Sequence, residues 1–443
     1  MKNGSIIGIV VAGVLALHSP LYAEAVKDRE GAVRGDRDTM SKDSRWIYGD
    51  IDRGFEEAKK TGKPLLVVLR CVPCKACMGI DAHILSSKEL QPVLDQFVCV
   101  RVINANALDL SLFQFDYDLS LSTLLFNADR TVYGRFGSWQ HQRDAFDDSL
   151  SGYKAALEGA LAIHHGYPAN KAALAGKQGG PAPFAVPVEI PALAGKYQRE
   201  LDWGGKVAQS CVHCHQVGDA FRAWYRNQSK PIPNELIYSM PAPETIGLSL
   251  DAANSAKVTE VAAGSAVEAA GLLKGDEITS VNGQPLISVA DFAWVLNRSP
   301  ESGALQVNVR RGGAEKELKV TLAEEWRQKS DISTRVGVWQ MRGMAEGGMV
   351  LVDLTDAERE TRKLDRDSLA LNVKRVGEYG IHAAAKKAGF QKDDILVSMD
   401  GITKRMSESE IIGQLLRNHP QKGDVKATVL RGDKRLELTL PMQ

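Results

Sequence analysis

Nothing in this 443-residue chain is apolar for long enough to cross a bilayer: the longest such run, residues 6–17, has twelve residues where a spanning helix needs ~20. Net charge is lacking too. Fifty-five Lys and Arg balance fifty-five Asp and Glu, so no global field draws the chain to nucleic acid or an anionic surface. Aromatic residues are scarce at 6%, histidines number nine, and cysteines only six. No Ser-His-Asp set and no serine nucleophile motif stands out, which disfavours protease activity. What is present is ordinary for folded domains, 44% apolar and 25% charged. At roughly 100–200 residues per domain the length implies several domains rather than one.

The start of the chain reads as an export signal. Met1-Lys2, the apolar run 6–17 and Leu21-Tyr22-Ala23-Glu24-Ala25 supply a charged region, a short hydrophobic region and a small-residue cleavage site. Residues 1–23 are therefore assigned as a signal peptide. The mature chain is expected to be periplasmic or secreted and to have no transmembrane segment. In such compartments disulfides persist. A charged, loose leader is expected to reach about Ser44.

From Trp46 onward, strand and helix patterns alternate. Pro64-Leu65-Leu66-Val67-Val68-Leu69 and Phe97-Val98-Cys99-Val100-Arg101-Val102 read as buried strands. Thr123-Leu124-Leu125-Phe126 and Thr131 to Phe136 form a hairpin around Asn127-Ala128-Asp129-Arg130, and 150–163 has helical spacing. Residues 166–195 are broken by Pro168, Pro181, Pro183, Pro187 and Pro191 and read as a linker. A polar, helix-like stretch is expected over 196–209.

Two cysteine clusters carry the chemistry. Cys71-Val72-Pro73-Cys74-Lys75-Ala76-Cys77 follows a strand and precedes a helical stretch running to about Leu85. At a helix start, unpaired N–H groups and the helix dipole favour thiolate over thiol. Cys71-Val-Pro-Cys74-Lys75 resembles the thioredoxin signature. The flanking Thr61-Gly62-Lys63-Pro64 and Ile84-Leu85-Ser86 instead match the register of thioredoxin-like domains in periplasmic disulfide reductases. That resemblance makes Cys74 and Cys77 the working pair, with Cys71 a third thiol beside them. Where thioredoxins place a cis-proline this chain has Ser122, a departure that leaves open metal binding by the three thiols. Cys99 reads as a core residue. Asp81 and His83 read as surface residues.

The second cluster, Cys211-Val212-His213-Cys214-His215, has the C-x-x-C-H spacing of c-type haem attachment. Thioethers would form at Cys211 and Cys214, and His215 would serve as axial metal ligand. Met240 is the candidate sixth ligand. A zinc site and a plain disulfide are the alternatives. His213 is not expected to take part.

Beyond this point the chain repeats itself. Gly271-Leu-Leu-Lys-Gly-Asp276-Glu-Ile-Thr-Ser-Val-Asn-Gly283 aligns without a gap on Gly389-Phe-Gln-Lys-Asp-Asp394-Ile-Leu-Val-Ser-Met-Asp-Gly401. Gly264-Ser265-Ala266, Ala270-Gly271-Leu272, Gly275-Asp276 and Val281-Asn282-Gly283 resemble PDZ domains of periplasmic stress proteases. The resemblance implies that a client's extended C-terminal peptide adds as a strand beside Ile246, Gly247, Leu248, Ser249 and Leu250. The opposite wall would be a helix beginning near Val289, with Phe292, Trp294 and Val295 as candidates. In the second copy the corresponding loop is expected at Ser368-Leu369-Ala370-Leu371-Asn372, without glycine, so that this copy only packs.

The whole is similar to bacterial thioredoxin-like/PDZ proteins, some of which carry selenocysteine near the redox motif. The fold class expected is multidomain α/β and α+β: a thioredoxin-like domain (45–165), a linker (166–195), a Cys/His segment (196–240) and two PDZ β-barrel-like domains (241–325 and 369–443) joined by a connecting segment (326–368). The resemblance implies thiol–disulfide or electron-transfer work with haem c, and protein or peptide clients held by the first PDZ copy, with no nucleic-acid partner. A PDZ adaptor with structural cysteines and a metal handler using CxxCxxC are the competing readings.

Overall fold

The computed structural model describes residues 27–72, 81–119, 121–137, 149–251, 253–254 and 256–443. The signal-peptide assignment and the expected Cys74–Cys77 pair fall outside them. Among the described residues no helix is long and apolar enough to cross a membrane.

The first domain is a five-stranded sheet built from β1 (Trp46–Tyr48), β2 (Leu65–Arg70), β3 (Val98–Val102), β4 (Leu121–Phe126) and β5 (Val132–Phe136), in the order β1-β3-β2-β4-β5. β1, β3 and β2 run parallel, β4 runs antiparallel to β2, and β5 runs antiparallel to β4. The strands are apolar without alternation because both faces are covered. One face takes Phe55 and Ala58 of α1 (Ile51–Thr61), a helix capped by Asp50 at its start and by left-handed Gly62 at its end. The other takes Tyr153, Ala156, Leu157 and Ala160 of α2 (Ser149–His165), spaced along one helical stripe.

Three local expectations need correction. Residues 29–40 are not a loose leader: Arg29–Met40 is a helix, and its Asp36 pairs with the buried Arg101 and Arg70. Only Val33 of this helix is buried, so no apolar stripe announced it. Asp81 joins the same cluster, pairing with Arg70 and Arg101 rather than standing on the surface. The expected 196–209 helix shrinks to Val207–Ser210, since Asp202 closes a turn by accepting the Gly205 N–H at 2.9 Å. Residues 166–195 hold no regular element beyond short helical turns, yet they pack onto the domain, with Ile190 and Lys177 buried.

The first repeat module has two small antiparallel sheets and one helix of 10 residues. A two-stranded sheet joins β6 (Leu248–Leu250) to β7 (Val258–Val261), and a second sheet, ordered β11-β10-β8-β9, joins β8 (Glu277–Val281), β9 (Gln284–Pro285), β10 (Gly303–Arg311) and β11 (Ala314–Leu322). β7 meets β8 through the single bridge Lys257↔Glu277, so no closed barrel forms and the barrel-like expectation gives way to open sheets. α3 (Val289–Arg298), capped by Ser288, packs Phe292 and Val295 into the core.

The second module repeats this plan with α4 (Val338–Glu346), β12 (Met349–Asp353), β13 (Leu371–Val376), β14 (Ile395–Met399), α5 (Glu408–Asn418), β15 (Gly423–Arg431) and β16 (Lys434–Met442). Its counterpart of β6 is β12, not the stretch 368–372. Leu248 pairs with Val261 as Met349 pairs with Val376. The Gly247 carbonyl accepts from Ala262 N–H at 2.9 Å, and the Gly348 carbonyl from Gly377 N–H at 3.0 Å. The second loop therefore does contain glycine, Gly347 and Gly348, and lies in the expected connecting segment.

One ion pair explains the repeated Gly…Asp and Arg-Gly signatures. Asp276 is 1% exposed and takes a two-pronged contact from Arg311, which also donates to the Gly271 carbonyl at 2.8 Å. Asp394, Arg431 and Gly389 do the same in the second module. Asp276→Ala strands Arg311 and the Leu273 N–H. Because Arg311 is partly solvated, the expected loss is about 2 kcal/mol, read from urea unfolding.

The first module is docked on the first domain. Ile287 enters a space left by Gly134 and Gly159, where a Cβ would stand 2.3 Å and 3.1 Å from its side chain. Ser288 donates to the Arg135 carbonyl, and Asp291 accepts the Arg135 N–H at 3.1 Å.

Candidate functional site

Cys71 leaves the end of β2, and its sulfur lies 3.2 Å from His213 Nδ1. Cys71 and the Cys211–His215 cluster, far apart in the sequence, thus meet at one place in the fold. Residues 211–213 are fastened there by the loop after β3. Asn106 is wholly buried; its amide donates to the Gln198 and Ser210 carbonyls at 2.7 and 2.8 Å and its oxygen accepts the Val212 N–H at 2.7 Å. Val212 returns a carbonyl to Ala105 N–H at 2.8 Å. α6 (Cys214–Asn227) then lays Val217, Ala220 and Phe221 on the core beside Phe113 and Phe126.

His213 Nε2 lies 3.1 Å from Arg29 Nη2. A guanidinium can only donate, so Nε2 accepts, and a neutral ring must then carry its proton on Nδ1. The ring is neutral because burial, with His215 and Arg29 adding to it, pushes His213 down to about 4. Nδ1–H is left to donate to Cys71 sulfur, an interaction that favours thiolate over thiol. Sequence reading set His213 aside, and nothing local would have marked Arg29 or Asn106 as its supports. Ser122 pairs with Leu69 across β4 and β2, which puts it beside the strand end that delivers Cys71.

The other three described thiols are in the opposite condition. Cys214 is the first residue of α6, where the dipole would favour thiolate, yet burial wins and pushes it up to about 12. Cys211, 4% exposed, is pushed up to about 11 by burial first and by Glu30, and its thiol donates to the Val207 carbonyl at 3.3 Å. Cys99 is the core residue expected, pushed up to about 12 by burial.

Covalent haem needs both thiols and the following histidine turned toward one ring. Cys211 and Cys214 are packed into protein, whereas the His215 side chain is 40% exposed and lies 3.4 Å from Asp219. Met240 packs on Ala293 and Trp294, with its N–H donated to Asn297 at 3.0 Å. As folded, these four residues do not fit a haem, and no step is assigned to one. Among the described residues no group of three or more His, Cys, Asp or Glu could hold a metal ion.

At the first module's candidate groove, Ile246, Leu248 and Leu250 turn their side chains into the core. Ser249 is half-buried, and Gly247 has φ +85° with its carbonyl fixed by Ala262. Of the helix residues expected on the opposite wall, Phe292 and Val295 are core and Trp294 faces the other way, donating to the Gly176 carbonyl at 2.9 Å. Val289 and Ala293, one helical turn apart and both buried, line the cavity beside this loop instead.

Residues 46–128 match the family described as thioredoxin-like, and residues 244–322 match the PDZ domain family. The chain carries a thioredoxin-like domain and a PDZ domain. It is also similar to a probable periplasmic serine endoprotease DegP-like of Marinomonas sp. (strain MWYL1), 23% identical over 51% of this chain and 44% of that protein. The DegP-like protein of Pseudomonas savastanoi pv. phaseolicola (strain 1448A / Race 6) is 22% identical over 58% of this chain and 47% of its own length. The periplasmic pH-dependent serine endoprotease DegQ of Escherichia coli (strain K12) is 28% identical over 34% of this chain and 29% of its own length. The chain spans less than half the length of these curated relatives. The PDZ match falls on the first module.

Proposed function

We propose that this chain is an exported thiol–disulfide protein that holds a protein client by its first repeat module. The observation that carries the reading is the Cys71–His213 contact, because a thiol given a hydrogen-bond donor and a place beside the strand end is set up to react rather than to pack. In the proposed chemistry a thiolate of the Cys71, Cys74 and Cys77 set attacks a client disulfide. A mixed disulfide forms and a client thiolate leaves. A second thiol of the set then attacks the mixed disulfide, so the client departs as dithiol and the protein keeps the disulfide, two electrons having passed to the client. Cys74 attacking and Cys77 resolving is the order proposed, with Cys71 tuned by His213. The periplasm is the proposed compartment, in line with the names of the relatives. Their proteolysis is not carried over: among the described residues no hydrogen bond links a histidine to a serine.

Client binding falls to the first module in this reading because the second is closed by its own side chain. At the first position of α5, Glu408 accepts the Leu351 N–H on the outer edge of β12 at 2.7 Å, where an added strand would pair. The first position of α3 is Val289, which has no such acceptor, and among the described residues no side chain bonds the backbone of Leu248, Ser249 or Leu250.

His213→Ala is expected to slow alkylation of Cys71 by iodoacetamide at pH 7 by about tenfold, the weight of one hydrogen bond of about 1–1.5 kcal/mol. Cys77→Ser should trap a mixed disulfide through Cys74. An unchanged Cys71 rate removes the observation on which the reading rests. Loss of exchange in Cys71→Ser but not in Cys77→Ser would move the working pair to Cys71 and Cys74.

A further inference from the structure

A cavity of about 270 Å³ lies where the thioredoxin-like domain, the PDZ domain and the segment after it meet. On one side it is lined by Thr245, in the loop before β6, and by Val289 and Ala290 at the start of α3. On the other side it is lined by Ser122, at the start of β4, and by Gly137, just past the end of β5. Ser122 Oγ is buried there without a hydrogen-bond partner. The two sides are fixed to each other. Ile287 and Ser288, the residues leading into α3, sit on Gly134 and the Arg135 carbonyl, Asp291 takes Lys177 at 2.7 Å, and the Arg135 guanidinium lies 3.9 Å over the Trp294 ring.

Two lines of contact put the same cavity beside Cys71. Ser122 pairs with Leu69, two residues before Cys71. At ~4.8 Å between strands and ~3.3 Å per residue along them, the Ser122 backbone is roughly 8 Å from that of Cys71. From the other direction, Asp116 lines the cavity and shares Arg335 with Asp118. Burial alone would raise Asp118, and Arg335 first, then Arg222 and His215, pull it down instead, so His215 stands near this pair. His215 stacks on His213 with ring centroids 6.0 Å apart, and His213 meets the Cys71 sulfur at 3.2 Å. The loop before β6 and the thiol end of the thioredoxin-like sheet therefore face one space.

We infer that this cavity carries the stretch of client chain between a C-terminus held at β6 and a cysteine offered to the thiols, and that it selects clients whose reducible cysteine lies about five residues from the C-terminus. An extended chain advances ~3.3 Å per residue, so the roughly 8 Å from Ser122 to Cys71 takes two or three residues. A volume of about 270 Å³ is roughly 6.5 Å on an edge, which takes two more. The free Ser122 hydroxyl is placed to bond the passing backbone. This spacing rests on the proposed thiol exchange and on strand addition at β6, and adds to them a distance set by how the two domains are docked.

The test takes the reduced full chain and peptides with an apolar C-terminal residue as free acid, each with one cysteine carrying a thionitrobenzoate. Attack of a protein thiolate on the peptide sulfur forms a protein–peptide disulfide and expels thionitrobenzoate thiolate, whose colour gives the rate. A cysteine about five residues from the C-terminus should react tenfold or more faster than one about ten residues away, whereas a flexible tether alone would separate the two by only about threefold. Ala290→Leu fills the cavity from a half-buried position on α3. It should slow the shorter-spaced peptide about tenfold and leave the longer-spaced one, which can loop outside, and the alkylation of Cys71 by iodoacetamide unchanged. The spacing series on the unaltered chain stands whether or not that variant folds. Rates within about threefold of each other, or a short-spacing preference that survives in folded Ala290→Leu, overturn the inference and leave thiol exchange and strand addition standing. No reaction with any peptide while iodoacetamide still reacts, or rates unchanged throughout by Gly247→Val, would overturn the underlying reading and the spacing with it.

Discussion

Gly247→Val should abolish capture of apolar C-terminal peptides by the full chain. Gly247 sits at φ +85°, and a Cβ there would stand 2.3 Å from the Cβ of Ser265 and 3.3 Å from that of Ala262. A β-branched residue meets both penalties at once, left-handed strain and overlap, together worth about 2–5 kcal/mol. The loop must move, and with it the start of β6, where the incoming strand would pair. Gly264 supplies the control. It too has positive φ, at +73°, but nothing lies within 4 Å of its Cβ position, so Gly264→Asn should cost no more than about 1 kcal/mol and leave binding intact. Fluorescence anisotropy with a labelled peptide reads both. Capture surviving in Gly247→Val would mean that β6 is not the docking edge.

Arg342→Met is expected to unfold the second module at far lower urea, a loss of about 3–5 kcal/mol. Arg342 donates twice to Glu408, and both side chains are buried. Beside them Glu346 is fully buried with neither carboxylate oxygen hydrogen-bonded. Burial, reinforced by the charge of Glu408, raises Glu346 well above the usual carboxylate range. The proton belongs on Glu346, since Glu408 already accepts from Arg342 and from Leu351 N–H. Removing the guanidinium leaves Glu408 charged and unpaired.

The same cluster sets a pH dependence. With its folded value raised, Glu346 stays protonated after the unfolded chain has ionised near ~4.3, so stability is full below that and falls as pH rises, by at most about 1.4 kcal/mol per unit. Glu346→Leu should flatten this slope and raise stability at pH 7 by about 1–2 kcal/mol. Urea midpoints at pH 5 and pH 7 give the answer. A wild-type midpoint that climbs toward pH 7, with Glu346→Leu unchanged, would show that the acid is ionised and solvated.

The sheet of the thioredoxin-like domain was legible because β2 and β3 are apolar runs and β4–β5 turn on Asn127-Ala128-Asp129-Arg130. The paired modules were legible because Asp276 and Asp394 each need the same arginine and the same turn glycine. Less was legible where function depends on partners far apart in the chain. Cys71 and His213 are 142 positions apart, and Asn106, which holds the segment between them in place, has no distinguishing pattern. The second module's first strand was missed because 368–372 alternates well, whereas Gly347-Gly348 looks like the end of a helix. Closure by Glu408 was hidden because a helix-start glutamate ordinarily serves the helix itself.

The Arg29–His213–Cys71 chain of contacts also bears on how the molecule comes into being. Its three members emerge from the ribosome in the order 29, 71, 213, and the thiol acquires its imidazole only when the last of them has been made and the chain has folded back. Until then Cys71 lacks the donor that favours its thiolate. A fragment trimmed to the matched 46–128 stretch would keep that immature chemistry permanently. Measurements of thiol reactivity therefore belong on the chain that runs at least from Arg29 through Asn227, the end of the helix that carries the histidine pair.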